Sequence, residues 1–406
     1  MPRVARVTNM FHVKRSPFCL LMSYVNRAEA LFHVKHPLAY LSRPYQSRSI
    51  LCFAMHYQSF FVARKQGLEE ARRTRYTNNM KKKHRILKFI LFIIACIGLI
   101  HLINRLIAYL AEKKGRLTTT SGKIFVWRGD QIYYQVTGAG KPILLIHDLD
   151  PVASAYEWNR VIAGLAGNHR VYALDLAGCG RSSKENQTYV AFYQVQMIQA
   201  FLKEIVQEPC DIIASHHSAA FIASAAAYDS SYIGKVILIN PEAPAELPDS
   251  PDLRKKLLIN TFKAPIIGTF LYNLRFSRAR IESDMTDSGF YNPFNVTDEF
   301  VEVCYEGAHK GDGKGRNLYL SQIGGYLFVD PTSALKKLSN DLLVIYGQAF
   351  RNKAASIKAL SGIRDDLTIE EIPKAGMLPQ FEEPESFVDT ILTFLDSSDS
   401  EAIFAE

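Results

Sequence analysis

Between residues 118 and 398, short apolar stretches alternate with helical patterns, and this alternation limits the possible folds more than any other feature of the chain. Residues 143–146 and 171–174 are continuous apolar stretches, as expected of strands buried on both faces. Residues 191–206 and 219–228 have the length and the apolar spacing of packed helices. The alternation predicts a mostly parallel sheet flanked by helices.

An apolar run at about residues 86–110 predicts one transmembrane helix before the sheet-forming part. About 20 residues span a bilayer, and Lys88 and Arg105 can extend their charged ends toward its two interfaces. The basic residues at 81–85 favour a cytoplasmic N-terminal side, although Lys and Arg at 113–116 reduce this asymmetry. We therefore predict a single-pass anchor in the cell membrane, with the C-terminal domain outside the cytoplasm. A cleaved signal peptide is the alternative, but no A-x-A site follows the run.

Residues 1–79 lack sustained periodicity and are predicted to be a disordered basic extension. Phe-His-Val-Lys occurs at both 11–14 and 32–35. It can be encoded by the palindrome TTTCACGTGAAA, which resembles the DNA sites of bacterial chromosome-partition proteins. A second hypothesis is therefore that this stretch is translated upstream DNA of a bacterium, and that the natural protein starts at Met80.

The net charge of +8 is unevenly distributed along the chain. Lys and Arg exceed Asp and Glu by ten in residues 1–79 and by eight in residues 80–116, so residues 117–406 have a net charge of −10. An acidic globular part argues against nucleic-acid binding. The six cysteines form no Cys-x-x-Cys pair, so they indicate neither a zinc site nor a disulfide framework.

Three motifs then follow in order. Residues 143–148 read Ile-Leu-Leu-Ile-His-Asp, residues 174–182 read Leu-Asp-Leu-Ala-Gly-Cys-Gly-Arg-Ser, and residues 376–384 read Gly-Met-Leu-Pro-Gln-Phe-Glu-Glu-Pro. They resemble a strand with its His-Gly turn, the L-D-x-x-G-x-G-x-S turn and the terminal G-H-x-P-x-x-E-x-P segment of α/β hydrolases. The resemblance implies an α/β-hydrolase fold.

The same resemblance implies a division of the chain. Its core is formed by residues 117–241 and 336–398, and residues 399–406 are a tail. Residues 80–116 contain the basic cluster and the anchor. The insert 242–335 lies where the family carries a helical cap over its substrate pocket, so a small acyl, ester or lipid-like ligand is expected beneath it.

The family places its nucleophile at a sharp strand-to-helix turn, G-x-S-x-G, between small residues. Residues 213–220 read Ile-Ala-Ser-His-His-Ser-Ala-Ala. An ungapped match puts His216 at the nucleophile position. A shift of two residues makes Ser218 the nucleophile, but His216 then occupies a position that favours glycine. Both registers remain open.

The expected acid and base are both replaced. Phe350 stands at the usual acid position and Met377 at the catalytic His position, and Met has no titratable proton. Glu242 is a possible acid, and His309, in the insert, is a possible distant base. Losing triad members typically lowers the rate by about 10⁴–10⁶.

The oxyanion-hole region comprises His147, Asp148, Leu149 and His217. Asp148 replaces the family's glycine at this turn, and a carboxylate there could repel a developing oxyanion. Four departures together predict a membrane-anchored, catalytically impaired pseudo-hydrolase that serves as a binding module. An active serine ester or acyl hydrolase using Ser218 is the alternative.

A metal-dependent enzyme built on His216 and His217 is a third possibility. No carboxylate stands at a fixed spacing from the two histidines in the sequence. We therefore predict neither a metal nor a cofactor.

Overall fold

The computed structural model describes residues 47–118, 121–243 and 253–397, with side chains from residue 55 onward. Predictions for residues 1–46, for residues 244–252 of the insert and for the tail 399–406 lie outside the described residues. The chain divides into two compact units, Met1–Leu87 and Lys88–Glu406.

A single helix, α1 (Ser47–Lys113), contains both a basic segment and the apolar run. The sequence predicted disorder up to residue 79, but residues 47–79 are helical. They contain no proline and many residues of high helix propensity. Residues 55–79 are all exposed, so this part of α1 has no core of its own. Among the described residues, α1 is the one helix long and apolar enough to cross a membrane, a property that signal sequences share.

Among the described residues, eight strands form one sheet in the order β1-β2-β4-β3-β5-β6-β7-β8. From β1 to β8 their bounds are Lys123–Trp127, Asp130–Thr137, Lys141–Ile146, His169–Leu174, Cys210–Ser215, Ile233–Ile239, Leu342–Gly347 and Thr368–Ile372. β2 pairs antiparallel with β1 and β4, and the other pairs are parallel. The predicted mostly parallel sheet flanked by helices is therefore confirmed.

Helices cover both faces of the sheet, which explains why its strands are apolar on both sides. Successive strand residues point to opposite faces. Leu144 and Ile146 pack in the core beneath α3 (Ala191–Phe201) and α4 (Ser218–Tyr228). Ile143 and Leu145 pack in the opposite core. That core is covered by α2 (Ile162–Leu165) and α13 (Pro384–Asp396).

The insert between β6 and β7 is helical where the structure describes it. Its helices are α5 (Leu253–Lys263), α6 (Pro265–Arg275), α7 (Arg278–Asp284), α8 (Asp298–His309), α9 (Arg316–Ile323) and α10 (Thr332–Lys337). The remaining helices, α11 (Lys353–Ser361) and α12 (Pro379–Glu382), flank β8. Among the described residues, the strand–helix alternation is thus interrupted between β6 and β7.

The C-terminal end of α1 packs on the insert helices within the second unit. Asn104 Nδ2 donates a hydrogen bond to Ile266 O at 2.9 Å, and Asn273 Nδ2 donates to Asn104 Oδ1 at 3.0 Å. Ala111 is buried in a cluster that includes Phe300. Specific polar and apolar contacts therefore hold this end of α1.

Candidate active site

The turn after β5 has the geometry of a nucleophile elbow, and His216 lies at its tip. β5 ends at Ser215, His216 has a φ of 49°, and α4 begins at Ser218. A positive φ is uncommon for a residue with a side chain and stores strain in the backbone. This geometry corresponds to the register with His216 at the nucleophile position.

Ser218 lies in the first turn of α4 and is fully buried. Its hydroxyl donates a 2.6 Å hydrogen bond to the His147 carbonyl oxygen. His147 is held in turn, because its Nδ1 lies 2.5 Å from Asp148 O and its Nε2 accepts from Leu176 N at 2.9 Å. In this arrangement Ser218 and His147 join the elbow to the turn after β3.

The Asp148 carboxylate occupies the place where the family binds an oxyanion. Its Oδ1 accepts from Leu149 N at 2.8 Å and from His217 N at 3.1 Å. These are the N–H after β3 and the N–H after the elbow residue, which together form the oxyanion hole of α/β hydrolases. The same oxygen lies 2.8 Å from His217 Nδ1. A side chain of the protein itself therefore satisfies both backbone donors.

Asp148 and His217 form an ion pair in which each shifts the pKa of the other. Burial alone would raise the pKa of Asp148, but the neighbouring histidines and the His217 hydrogen bonds hold it well below its usual value. Burial would lower the pKa of His217, but Asp148, with a smaller contribution from Glu242, raises it to about 9. Burial lowers the pKa of His216; Asp148 opposes this shift and the charge of His217 adds to it.

Glu242 follows β6 and faces both histidines. Its Oε1 lies 3.7 Å from His216 Nε2 and its Oε2 lies 3.7 Å from His217 Nε2. His216 Nδ1 and His217 Nδ1 are 2.8 Å apart. The fold thus brings together four side chains from three loops: Asp148, His216, His217 and Glu242.

The two residues that the sequence predicts in place of the acid and the base also lie at the site. The Phe350 ring packs edge-on against His216, with 5.7 Å between ring centroids. Asn240 Nδ2 donates to Gly376 O and Met377 O, each at 3.0 Å, and Gly347 N donates to Asn240 Oδ1 at 2.9 Å. The two loops that would carry acid and base therefore keep a defined arrangement without those groups.

His309 is not available as a distant base. The sequence suggested a flexible stretch around it, but His309 ends helix α8 and is 1% exposed. Its Nδ1 is hydrogen-bonded to Tyr305 O at 2.8 Å. His309 does not line the cavity between the core and the insert. The apolar side of α8 buries it within the insert.

A cavity of about 380 Å³ lies between the core and the insert. Asp148, His217 and Met377 line it from the core, and Phe276 and Phe300 line it from the insert. Its volume is within the range of about 300–1,000 Å³ typical of small-molecule sites. Apolar side chains and several carboxyl groups therefore surround a ligand-sized space beside the elbow.

Two further carboxyl groups in this cavity, Asp150 and Glu157, were missed in the sequence. Burial raises the pKa of both, and the charge of Asp148 adds to the large upward shift of Glu157. Glu157 Oε1 also accepts a 3.2 Å hydrogen bond from Gln380. No motif marks these positions, because their role depends on a cavity formed by distant segments.

A mostly parallel sheet with an elbow after a central strand and a helical insert after the next strand defines the α/β-hydrolase class. Residues 143–390, more than half of the chain, match the Alpha/beta hydrolase family. The chain therefore belongs to this family.

Known relatives of this chain are hydrolases. The 2-hydroxy-6-oxo-6-(2'-aminophenyl)hexa-2,4-dienoic acid hydrolase of Metapseudomonas resinovorans is 25% identical over 280 residues, covering 66% of this chain and 88% of the relative. A haloalkane dehalogenase of Agrobacterium fabrum is 31% identical over 93 residues, covering 23% of this chain and 30% of the relative.

Solved structures agree on the fold. A bromoperoxidase from Bacillus anthracis superposes with a TM-score of 0.56 at 21% identity, over 68% of this chain and 100% of that chain. A bacterial membrane phospholipase A superposes with a TM-score of 0.53 at 18% identity, over 78% of this chain and 98% of that chain. At these identities the likeness concerns the fold alone.

Proposed function

We propose that this member of the family has lost serine-hydrolase chemistry and binds a small, mostly apolar ligand beneath the insert helices, which act as its cap. The observation that carries the proposal is the Asp148 carboxylate, which accepts the N–H groups of Leu149 and His217. Ester hydrolysis needs these donors for the developing oxyanion. An ionised carboxylate in their place opposes that charge and removes the stabilisation.

The alternative, a serine hydrolase that uses Ser218, has less support. The Ser218 hydroxyl is buried and donates to His147 O, so it does not face the cavity. A serine also needs a neighbouring base to be a good nucleophile at neutral pH. Met377 stands where that base would be.

The charges of the cavity favour a neutral ligand. Arg275 is paired with Asp284 at 2.8 Å, and His217 is paired with Asp148. Burial raises the pKa of Asp150 and Glu157, which also line the cavity, and so opposes their charged forms. An anionic fatty acid would therefore meet no free positive partner among these residues. We therefore expect neutral esters, amides or alcohols of an acyl chain rather than free carboxylates.

The purified full-length chain in detergent tests this proposal. We expect no reaction with a fluorophosphonate probe, either for the wild type or for Ser218→Ala. A neutral acyl ester or amide should raise the melting temperature, since a ligand at 100 times its Kd adds about 2.7 kcal/mol of stability. The matching carboxylate should have little effect. Labelling that Ser218→Ala abolishes would establish the serine hydrolase instead.

We also propose that α1 is retained as a single-pass anchor and that the hydrolase domain lies outside the cytoplasm. The apolar run of α1 is exposed, and basic residues precede it at 81–85. Cleavage after the run would remove Asn104 and with it the hydrogen bonds to Ile266 and Asn273. These contacts favour an anchor over a signal peptide.

The anchor and its orientation can be measured in cells. An alkaline phosphatase fused to the C-terminus should be active, and the fusion should stay in the membrane after alkaline carbonate extraction. Replacing Lys81, Lys82 and Lys83 with glutamine should lower the outward-facing fraction, because the basic cluster favours the cytoplasmic side. A soluble fusion whose N-terminus lies after α1 would show instead that α1 is part of a cleaved signal peptide.

A further inference from the structure

Three side-chain atoms converge on one point at the elbow. Asp148 Oδ1 lies 2.8 Å from His217 Nδ1, His217 Nδ1 lies 2.8 Å from His216 Nδ1, and His216 Nδ1 lies 3.7 Å from Asp148 Oδ1. Each atom can ligate a metal ion, and in the described part of the chain these residues form a group of metal-binding type. We propose that Asp148, His216 and His217 bind one divalent transition-metal ion, with Zn²⁺ the best match.

The distances suit such an ion. Zinc lies about 2.0–2.1 Å from nitrogen or carboxylate ligands and is tetrahedral, which separates neighbouring ligand atoms by about 3.4 Å. The three observed separations, 2.8, 2.8 and 3.7 Å, lie on both sides of that value. Small side-chain rotations would therefore admit the ion without moving the backbone.

Glu242 lies near the second ring nitrogen of both histidines, where such sites use an outer carboxylate. A metal-bound histidine normally donates its second ring N–H to a carboxylate or carbonyl oxygen, which fixes the ring orientation. When Nδ1 of His216 and His217 binds the metal, Nε2 carries the proton. Both Nε2 atoms lie 3.7 Å from an oxygen of Glu242, so one carboxylate faces both rings.

The backbone holds the ligands in place. His216 sits at the strained elbow with φ 49°, and Leu149 N fixes the Asp148 carboxylate at 2.8 Å. Ligands held by the scaffold and by hydrogen bonds are preorganised for binding. Three protein ligands also leave a fourth position open, as in catalytic rather than structural zinc sites.

The open position has room for water or a ligand. His216, His217 and Glu242 border a second cavity of about 90 Å³, and Asp148 and His217 line the larger cavity beneath the insert. Two imidazoles among three ligands favour zinc or a similar metal over Mg²⁺ or Ca²⁺, which prefer oxygen. The inference rests on the proposed function and concerns the same site. The preference for neutral ligands applies to the metal-free site, because a bound divalent cation would attract a carboxylate.

Zinc titration of the EDTA-treated full-length chain in detergent tests the site. We expect one Zn²⁺ per chain with a Kd of about 1 µM or below. His217→Asn and Asp148→Asn should each weaken binding by about 100-fold or more, and Glu242→Gln by about 10-fold. His84→Asn, an exposed histidine outside the site, should leave binding unchanged.

His216→Asn adds a variant that the backbone tolerates, since asparagine accepts the left-handed conformation better than most residues. Cobalt gives a readout without mutation, because Co²⁺ bound by the folded wild type should show the intense visible bands of a tetrahedral site. Absence of zinc binding and of these bands would overturn the proposal. So would Zn²⁺ binding that all site variants retain, which would mean an adventitious ion only.

The two proposals for this site fail in different ways. A chain that binds no zinc and does not react with the fluorophosphonate overturns the metal site and leaves the loss of serine chemistry standing. A chain in which the probe labels Ser218 overturns the proposed function, whatever its zinc content.

Discussion

The triple variant Asp148→Gly, His216→Ser and Met377→His is expected to react with a fluorophosphonate probe, in contrast to an inert wild type. Glycine at position 148 removes the carboxylate that accepts from the N–H groups of Leu149 and His217, so that both can donate to an oxyanion. Serine takes the elbow position, whose φ of 49° already has the required geometry. Histidine at 377 restores the base in a segment that Asn240 holds.

Each substitution is expected to change the labelling rate by a different factor. Oxyanion donors are worth about 10²–10³ in rate, and a positioned general base about 10²–10⁴. His216→Ser alone should therefore react orders of magnitude more slowly than the triple variant. Adding Ser218→Ala to the triple variant should not change its labelling. If the triple variant melts like the wild type and yet stays unlabelled, the assignment of His216 to the nucleophile position is contradicted.

Asp175→Asn is expected to destabilise the protein by about 3–5 kcal/mol, because it removes one partner of a buried ion pair. Asp175 is fully buried, and its carboxylate accepts from Arg181 N and Nε at 2.7 Å and from Ala155 N at 2.7 Å. Arg181 is itself only 8% exposed. A thermal melt should show a decrease on the order of 10 °C.

The pH dependence of this effect has a defined sign. Burial raises the pKa of Asp175, but the Arg181 charge and hydrogen bonds outweigh it, so the pKa in the folded protein is lowered. A lowered carboxyl pKa contributes stability that is present above the unfolded value of about 3.9 and is lost as the pH falls through the folded value. The stabilities of the wild type and Asp175→Asn should therefore start to converge as the pH falls below about 4 and should meet only below the folded pKa of Asp175.

Two controls separate the ion pair from other effects. Asp366→Asn removes an exposed partner of Arg364 and should change the melting temperature little, as exposed ion pairs contribute little. The double variant Asp175→Asn with Arg181→Met should recover part of the loss, because it leaves no uncompensated charge. Equal melting temperatures for Asp175→Asn and the wild type at pH 7 would contradict the prediction.

The motif around Asp175 shows how a short sequence pattern predicts a local turn. Gly180 has a φ of 46°, and a Cβ at this position would lie 2.5 Å from Asp175 Oδ2. Only glycine allows the turn to close on the carboxylate. Such requirements act over a few residues, so the L-D-x-x-G-x-G-x-S pattern and the strand–helix alternation could be read directly from the chain.

The site could be predicted only in part. The motifs around Phe350 and Met377 predict that these residues replace the acid and the base, and this stays a prediction. The elbow register was not decided, because two registers fit the same eight residues and only the backbone angle at His216 distinguishes them. The helical state of residues 47–79 was missed because this segment has no apolar periodicity.

The sequence by itself determined the mostly parallel sheet and the family of this protein, since these depend on short-range patterns and on residue types at fixed motif positions. Only the tertiary structure decided which side chains meet at the elbow. Asp148 lies 68 residues before His216 in the chain, and Glu242 lies 26 after it. The carboxyl ends of neighbouring parallel strands bring their loops to one edge of the sheet. There Asp148 reaches the backbone donors of the oxyanion hole, and both carboxylates face the histidine pair.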